Sequence, residues 1–269
     1  MSIGTIIIGV VMIAIGALCA FVLRNKLSSK AVDVQYMKTT PLTGLKQMFA
    51  DMASGGFDTN FRQYVELQGV AASATPPHTP YSQQSVAFYD AELIQVYEVQ
   101  ENYTDDQGRQ QQRTVRKEQS VTMEKSTEPL LLKDAATGET VMLDLQDGGL
   151  HLDLINGCNR FEPNQNMNTY GFFNSYVPRQ LGSRTLGYRM KEKIIPLGQQ
   201  LYVLGEAYLR NGSICVGRPS DSKKSFIVST KSEAQIAREA KTGSTVALIG
   251  GAVLAVGGVV VAVLGLLTK

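Results

Sequence analysis

Histidine and cysteine are scarce, two and three in 269 residues. Metal sites and general bases that depend on histidine therefore have little to draw on. His78 falls in a proline-rich stretch, where a solvated imidazole is expected. His151 lies near Asp153 and Cys158, but nothing around that Cys/His pair supplies an activating group for a thiolate. No HExxH, no paired CxxC, no GxxxxGK[ST] and no GxGxxG opening a helix occurs, which removes the motif-bearing metalloprotease, zinc, P-loop and dinucleotide classes. Cys19 sits in an apolar run. Cys158 and Cys215 remain, with no disulfide framework, which points to a reducing compartment and leaves one Cys158–Cys215 bridge open. Charge of one sign is also lacking: 26 Lys and Arg against 24 Asp and Glu, net +2. No basic run is interleaved with aromatics, so nucleic acid is not an expected partner. No catalytic, cofactor-binding or metal-ligating residue is nominated, and no cofactor is expected.

Charge is absent altogether from two runs, residues 3–23 and 246–267. Each has the ~20 residues that cross a ~30 Å hydrocarbon core, so the lipid bilayer is an expected partner. The first run is too long for a signal peptide, no basic residue precedes it, and Arg24, Lys26 and Lys30 follow it. It reads as an uncleaved transmembrane helix. Arg238 and Lys241 precede the second run. With basic residues on the inner flanks of both spans, the positive-inside rule places the middle of the chain in the cytoplasm and both ends outside. Gly9 and Gly16, then Gly251, Gly258 and Gly265, recur at seven-residue spacing, as do Gly250 and Gly257. That spacing puts small residues on one helix face, where backbones approach closely. The expected partner is the other helix of the same chain, or a second copy in a homo-oligomer.

Between the spans, roughly 200 residues suffice for one soluble domain or two small ones. Residues 24–60 form a juxtamembrane linker with an amphipathic helix: Leu42, Leu45, Met48, Phe49 and Met52 make a helical stripe, ended by Ser54-Gly55-Gly56. The stripe suits either the membrane surface or a core, core packing being the commoner outcome. Residues 61–233 read as a β-rich domain. Strands are expected over 64–73, with Gly69 as a bulge, and over 85–101. The second is a long half-buried strand that returns antiparallel over 114–125 after a polar tip at 105–113. A hairpin over 128–145 turns at Ala135-Ala136-Thr137-Gly138. Another strand is expected over 150–155. Residues 164–182, rich in Asn and Gln with four aromatics, read as an insertion loop that is either an interaction surface or a tolerated insertion. Tyr188, Met190, Glu192 and Ile194 alternate with Arg189, Lys191, Lys193 and Ile195. A turn at Pro196-Leu197-Gly198 leads to a central strand over 200–210. Asn211-Gly212 is the strongest hairpin signal, with strands at 213–216 and 225–229 beyond it. Thr230 to Glu233 fits a capping box for a juxtamembrane helix over 234–243, which Gly243 interrupts before the second span. Asn102-Tyr103-Thr104 and Asn211-Gly212-Ser213 match the N-x-[ST] pattern, but a cytoplasmic domain would not be modified there.

One stretch carries a family likeness. Arg189, Glu192, Ile195, Gly198 and Leu201-Tyr202-Val203-Leu204-Gly205-Glu206 precede Gly212, Pro219 and Ser229-Thr230-Lys231-Ser232-Glu233. Upstream stand Phe61-Arg62-Gln63-Tyr64-Val65-Glu66-Leu67-Gln68-Gly69, residues 86–98, and Pro129-Leu130-Leu131-Leu132-Lys133-Asp134. This pattern resembles the GIDE family, also called the BAM (beside-a-membrane) domain, known from the mitochondrial-anchored E3 ubiquitin ligase. The resemblance implies a mainly β fold, antiparallel and barrel-like, with short helices and a transmembrane α-helix on either side. In that ligase a zinc-binding RING after the second helix recruits the ubiquitin-charged enzyme. Here the sequence stops at Lys269, and three scattered cysteines and two histidines cannot build a two-zinc RING. A RING-less member is expected of a bacterial or archaeal membrane. The implied role is a membrane-proximal protein-interaction, sensor or scaffold module with an unidentified protein partner. The alternative is a ubiquitin-ligase-like protein acting only with RING or E2 partners in trans.

Overall fold

The computed structural model describes residues 3–23, 37–56, 61–145, 150–164 and 183–267. The insertion loop expected over 164–182 lies, beyond Asn164, outside them, as do Arg24, Lys26 and Lys30. Among the described residues there are three α-helices: α1 (Ile3–Leu18), continued by a π-helical turn over Cys19–Leu23; α2 (Leu42–Ser54); and α3 (Glu233–Leu267). The strands are β1 (Arg62–Ala72), β2 (Phe88–Thr104), β3 (Gln110–Lys125), β4 (Leu130–Lys133), β5 (Thr140–Leu143), β6 (Leu150–Leu152), β7 (Ile155–Pro163), β8 (Ser183–Ile195), β9 (Gln200–Arg210), β10 (Ser213–Gly217) and β11 (Phe226–Ser229). The fold is mainly β and includes a five-stranded barrel-like sheet. Two helices, Gly4–Val22 and Glu233–Leu267, are long and apolar enough to cross a membrane. The chain divides into two compact units: Met1–Gln68, Gln146–Leu152 and Leu201–Lys269 form one, and Gly69–Leu145 with Asp153–Gln200 the other.

In the first unit, β9 pairs antiparallel with β10 and with β11. The β9–β10 turn has positive φ at both Asn211 (51°) and Gly212 (76°), which is the backbone twist a two-residue hairpin needs. β11 pairs with β6 in parallel, a departure from the antiparallel expectation. A parallel pair joins segments distant in sequence, so no turn signal announces it. The stripe on α2 is resolved in favour of a core: Leu42, Leu45 and Phe49 are buried, and Phe49 meets Phe61 edge to face at 5.0 Å between ring centres.

The glycine spacing finds its partner in the same chain. A Cβ at Gly16 would lie 2.6 Å from the Gly251 carbonyl oxygen, and one at Gly258 would lie 2.7 Å from that of Gly9. Gly265 faces Thr5 and Ile6. The backbones of α1 and α3 thus touch along the seven-residue repeat. Gly250 has nothing within 4 Å.

α3 corrects two expectations. Gly243 does not interrupt it; the helix runs unbroken from Glu233 to Leu267. One glycine costs ~1 kcal/mol in a helix, too little to break one held on both sides, and the Ser244 and Thr245 hydroxyls donate back to the Lys241 carbonyl. The capping box is real but sits two residues later. The Gln235 amide donates to Ser232 Oγ and the Gln235 side chain accepts from the Ser232 amide at 3.0 Å. Ser-x-x-Gln satisfies the rule as well as Thr-x-x-Glu, and the first helical residue decides between them.

In the second unit, residues 70–72 of β1 pair with β4 in unbroken register. Gly69 stands just before this register. It is a close approach, since a Cβ there would meet the Lys133 carbonyl oxygen at 2.6 Å. The β4–β5 hairpin forms as expected, its turn held by Asp134 Oδ1, which accepts from the Ala136 and Thr137 amides. The larger feature is a four-stranded antiparallel sheet in the order β3-β2-β8-β7. The strand expected over 150–155 divides: β6 ends at Leu152, and Ile155 opens β7, which was not foreseen because Asn156-Gly157-Cys158-Asn159-Arg160 has no apolar alternation. The pairing of β2 shifts register opposite Leu93/Ile94 on the β3 side and opposite Val96/Tyr97 on the β8 side. The unpaired residue belongs to the partner each time, Val121 on β3 and Leu186 on β8, so β2 keeps its alternation. Leu93, Ile94, Gln95, Val96 and Tyr97 are nevertheless all buried, because this part of the strand is covered on both faces. Gln95 is satisfied by donating to Thr185 Oγ1 at 2.8 Å.

Candidate functional site at the joint of sheet and membrane helix

In the first unit the apolar end of the sheet meets the start of α3. Tyr202 and Leu204 on β9, Ile227 on β11 and Ile236 on α3 form one buried cluster, with Met37, Tyr64 and Ala237 packed against it. Ala240 is buried one turn further along. The same rigid helix that is long and apolar enough to span the membrane therefore begins inside the sheet's own core. The Lys231 ammonium pairs with Glu239 at 2.7 Å across the cap.

Glu66 on β1 is fully buried beside this cluster. Its carboxylate accepts from the Thr39 hydroxyl at 2.6 Å and from the Tyr202 hydroxyl at 3.0 Å, and its main chain accepts from the Thr40 amide. A buried carboxylate must be hydrogen-bonded to be tolerated. Burial, then the charge of Glu66, pushes the Tyr202 phenol above its ordinary range, so Tyr202 stays a donor and is no nucleophile. The arrangement ties the segment before α2, β1 and β9 together at one point.

A second carboxylate fastens the other side of the unit. Glu206 on β9 accepts from the Ser220 hydroxyl at 2.7 Å, from the Ser220 amide at 3.0 Å and from Arg62 at 3.0 Å. Arg62 also stacks over Tyr208 at 4.9 Å. Lys224 lies over the Tyr64 ring, whose hydroxyl donates to the Ser225 carbonyl. Burial works against the charge on Glu206, but the Ser220 donors and Arg62 outweigh it and hold the carboxyl below its usual range. A folded-state pKa below the unfolded one gives stability that is present above the unfolded value and lost as pH falls through the folded one. Acid titration of the full chain in micelles, followed by circular dichroism, is therefore expected to show a loss of stability below the ordinary carboxylate range. Glu206→Gln is expected to flatten it, and an unchanged acid profile in that variant would remove Glu206 from the account.

The residues weighed from the sequence do not converge. His78 forms a backbone bridge with Ser85. His151 lies on β6 opposite Ile227. Cys19, Cys158 and Cys215 are in no disulfide, so the Cys158–Cys215 bridge left open above is not formed. Burial, then Glu192, pushes the Cys158 thiol up, which lowers its thiolate fraction. Among the described residues no group of three or more His, Cys, Asp and Glu is placed to hold a metal ion. Sequence reasoning missed Glu66 and Glu206 because alternation along β1 places Glu66 on the solvent side with Tyr64 and Gln68. Only the fold lays Thr39 and Tyr202 over it.

A family model described as GIDE, E3 ubiquitin ligase, matches residues 98–264, more than half of the chain. No curated protein and no solved structure matches this chain. The match covers β3 to β11 and runs down α3 almost to its end, taking in the joint between sheet and apolar helix; the chain belongs to the GIDE family.

Proposed function

We propose that this chain is a two-helix integral membrane protein whose GIDE domain is a membrane-proximal protein-interaction scaffold, displayed on the cytoplasmic side. The observation that carries this reading is the continuity of α3. One unbroken helix is rooted in the sheet through Ile236 and Ala240 and runs on as an apolar span. A domain tied so rigidly to its anchor holds its strands at a defined place beside the bilayer. The buried carboxylates of the first unit, Glu66 at the joint and Glu206 on the other side, are occupied as fasteners by hydroxyl, amide and guanidinium donors, which suits a mechanical role better than proton transfer.

The family description favours a second reading, a ubiquitin-ligase-like protein acting with RING or E2 partners in trans. Incubation with ubiquitin and its activating and conjugating enzymes separates the two. The scaffold reading expects no transfer above the enzymes alone, and transfer that depends on this chain would replace it. Orientation is tested by single cysteines at Gln107 and Lys269 in intact cells. A probe that cannot cross the membrane is expected to label the second and spare the first; the reverse pattern places the domain on the outer face.

A further inference from the structure

The four-stranded sheet ends at β3, and among the described residues nothing pairs with its outer edge. Fourteen of its sixteen residues are exposed, all but Val115 and Val121. Such an edge presents a row of free N–H and C=O groups, and natural proteins guard it with lysines, prolines or bulges. β3 has no proline. It has one irregularity, where the pairing with β2 skips Val121, so the regular edge runs from Gln110 to Ser120.

The charges along that regular edge are already engaged within their own sheet. Arg113 and Lys117 both pair with Glu101 on β2. Glu118 pairs with Arg189 on β8 at 3.0 Å. Arg116 lies over the Phe161 ring of β7 at 5.7 Å. A charge neutralised sideways is a weak guard against an incoming strand. One face of the sequence is also self-complementary about Lys117, in Thr114-Val115-Arg116-Lys117-Glu118-Gln119-Ser120; on the other face Lys117 would meet its own copy, each ammonium already paired with Glu101. When this segment is laid antiparallel on itself with Lys117 at the dyad, Arg116 faces Glu118 twice and Thr114 faces Ser120 twice. Directly opposed residues share a face and sit within reach, and opposite charges or hydroxyl pairs are favourable there. The seven paired residues end where the skipped Val121 breaks the edge.

We propose that β3 is a pairing edge for a second copy of this chain, joining two GIDE domains antiparallel through residues 114–120. The inference rests on the reading of the domain as an interaction module and names its partner. Anchoring both copies in one bilayer raises their effective concentration, so a short pairing segment suffices.

The test uses the full chain in membranes, with Cys19, Cys158 and Cys215 replaced by alanine and single cysteines introduced by Lys117→Cys or Gln110→Cys. Residues directly opposed in an antiparallel pair lie within disulfide range. Mild oxidation is expected to join chains through position 117 at least tenfold more than through position 110, which faces no copy of itself. Arg116→Glu, added to Lys117→Cys, is expected to cut that crosslink several-fold by setting two glutamates opposite each other, and the double exchange Arg116→Glu with Glu118→Arg to restore it. Equal crosslinking at 117 and 110, or disulfides from 117 only to other proteins, would overturn homotypic pairing. Because the orientation and ubiquitin-transfer assays do not involve β3, that failure would leave the scaffold reading standing.

Discussion

Replacing Gly251 and Gly258 together by leucine is expected to separate α1 from α3. At both positions a Cβ alone would stand within 3 Å of backbone atoms on the opposite helix: the Gly16 carbonyl at 2.5 Å and the Ala20 amide at 2.7 Å for Gly251, the Gly9 carbonyl at 2.7 Å and the Ile13 amide at 2.9 Å for Gly258. Backbone cannot swing aside as a side chain can, so the helices must part. Overpacking a close-fitted interior typically costs ~1–3 kcal/mol per site, and two backbone clashes belong at the upper end. Between apolar helices in lipid there is no hydrophobic gain to offset the loss, because packing itself is the attraction. Gly250→Leu is the internal control, since nothing lies within 4 Å of it. Energy transfer between fluorophores at the two helix ends, in vesicles, reads the result. The double variant should lose most of the transfer and the control should keep it. Transfer retained in the double variant would mean that the glycine repeat reflects composition alone.

Glu192→Leu is expected to unfasten the proline-rich loop of the second unit. Glu192 lies on β8 and is 1% exposed. Its carboxylate accepts from the Tyr81 amide at 2.6 Å, the Ser82 amide at 3.1 Å and the Ser82 hydroxyl. Tyr81 in turn covers two core clusters, one of Val86, Tyr89, Ala91 and Ile194 and the other of Leu93, Tyr188 and Met190. Burial, then the charges of Glu124, Glu192 and Glu92, raises the Tyr81 phenol to about 12, so the ring stays neutral on that surface. Leucine would fill much of the space but leave two amides without acceptors. Each buried unsatisfied group costs ~1–3 kcal/mol, a large part of the ~5–15 kcal/mol that holds a typical domain. Glu192→Gln keeps a carbonyl oxygen that can accept from both amides, and should lose far less. Limited proteolysis of the full chain in micelles distinguishes the two: cleavage within residues 74–85 should rise at least tenfold for leucine and little for glutamine. Equal protection of both variants would show that the prolines and Tyr81 hold the loop without the carboxylate.

The glycine repeat and Glu192 mark the two ends of what sequence can carry. Two charge-free runs, seven-residue glycine spacing, Asn211-Gly212 and the apolar runs around Gly138 determine helices of membrane-crossing length, helix faces and hairpins by themselves. Their physics is local: hydropathy over ~20 residues, small side chains on one face, positive φ at a turn. The α1–α3 pairing is long-range in sequence yet legible, because the same spacing is written twice. Glu192 was visible only as an oddity, a carboxylate among Tyr188, Met190 and Ile194 on an apolar face. Its donors come from a loop 110 and 111 residues earlier, and no periodicity links them. Glu66 and Tyr202, 136 residues apart, are the same case, as are the parallel pairing of β11 with β6 and the register shifts of β3 and β8 against β2. The ends of short polar elements also escaped, since the capping box and the start of β7 depend on which neighbour supplies a hydrogen bond. Tertiary structure alone decided these, because a buried polar group is defined by its partner and the partner is chosen by the fold.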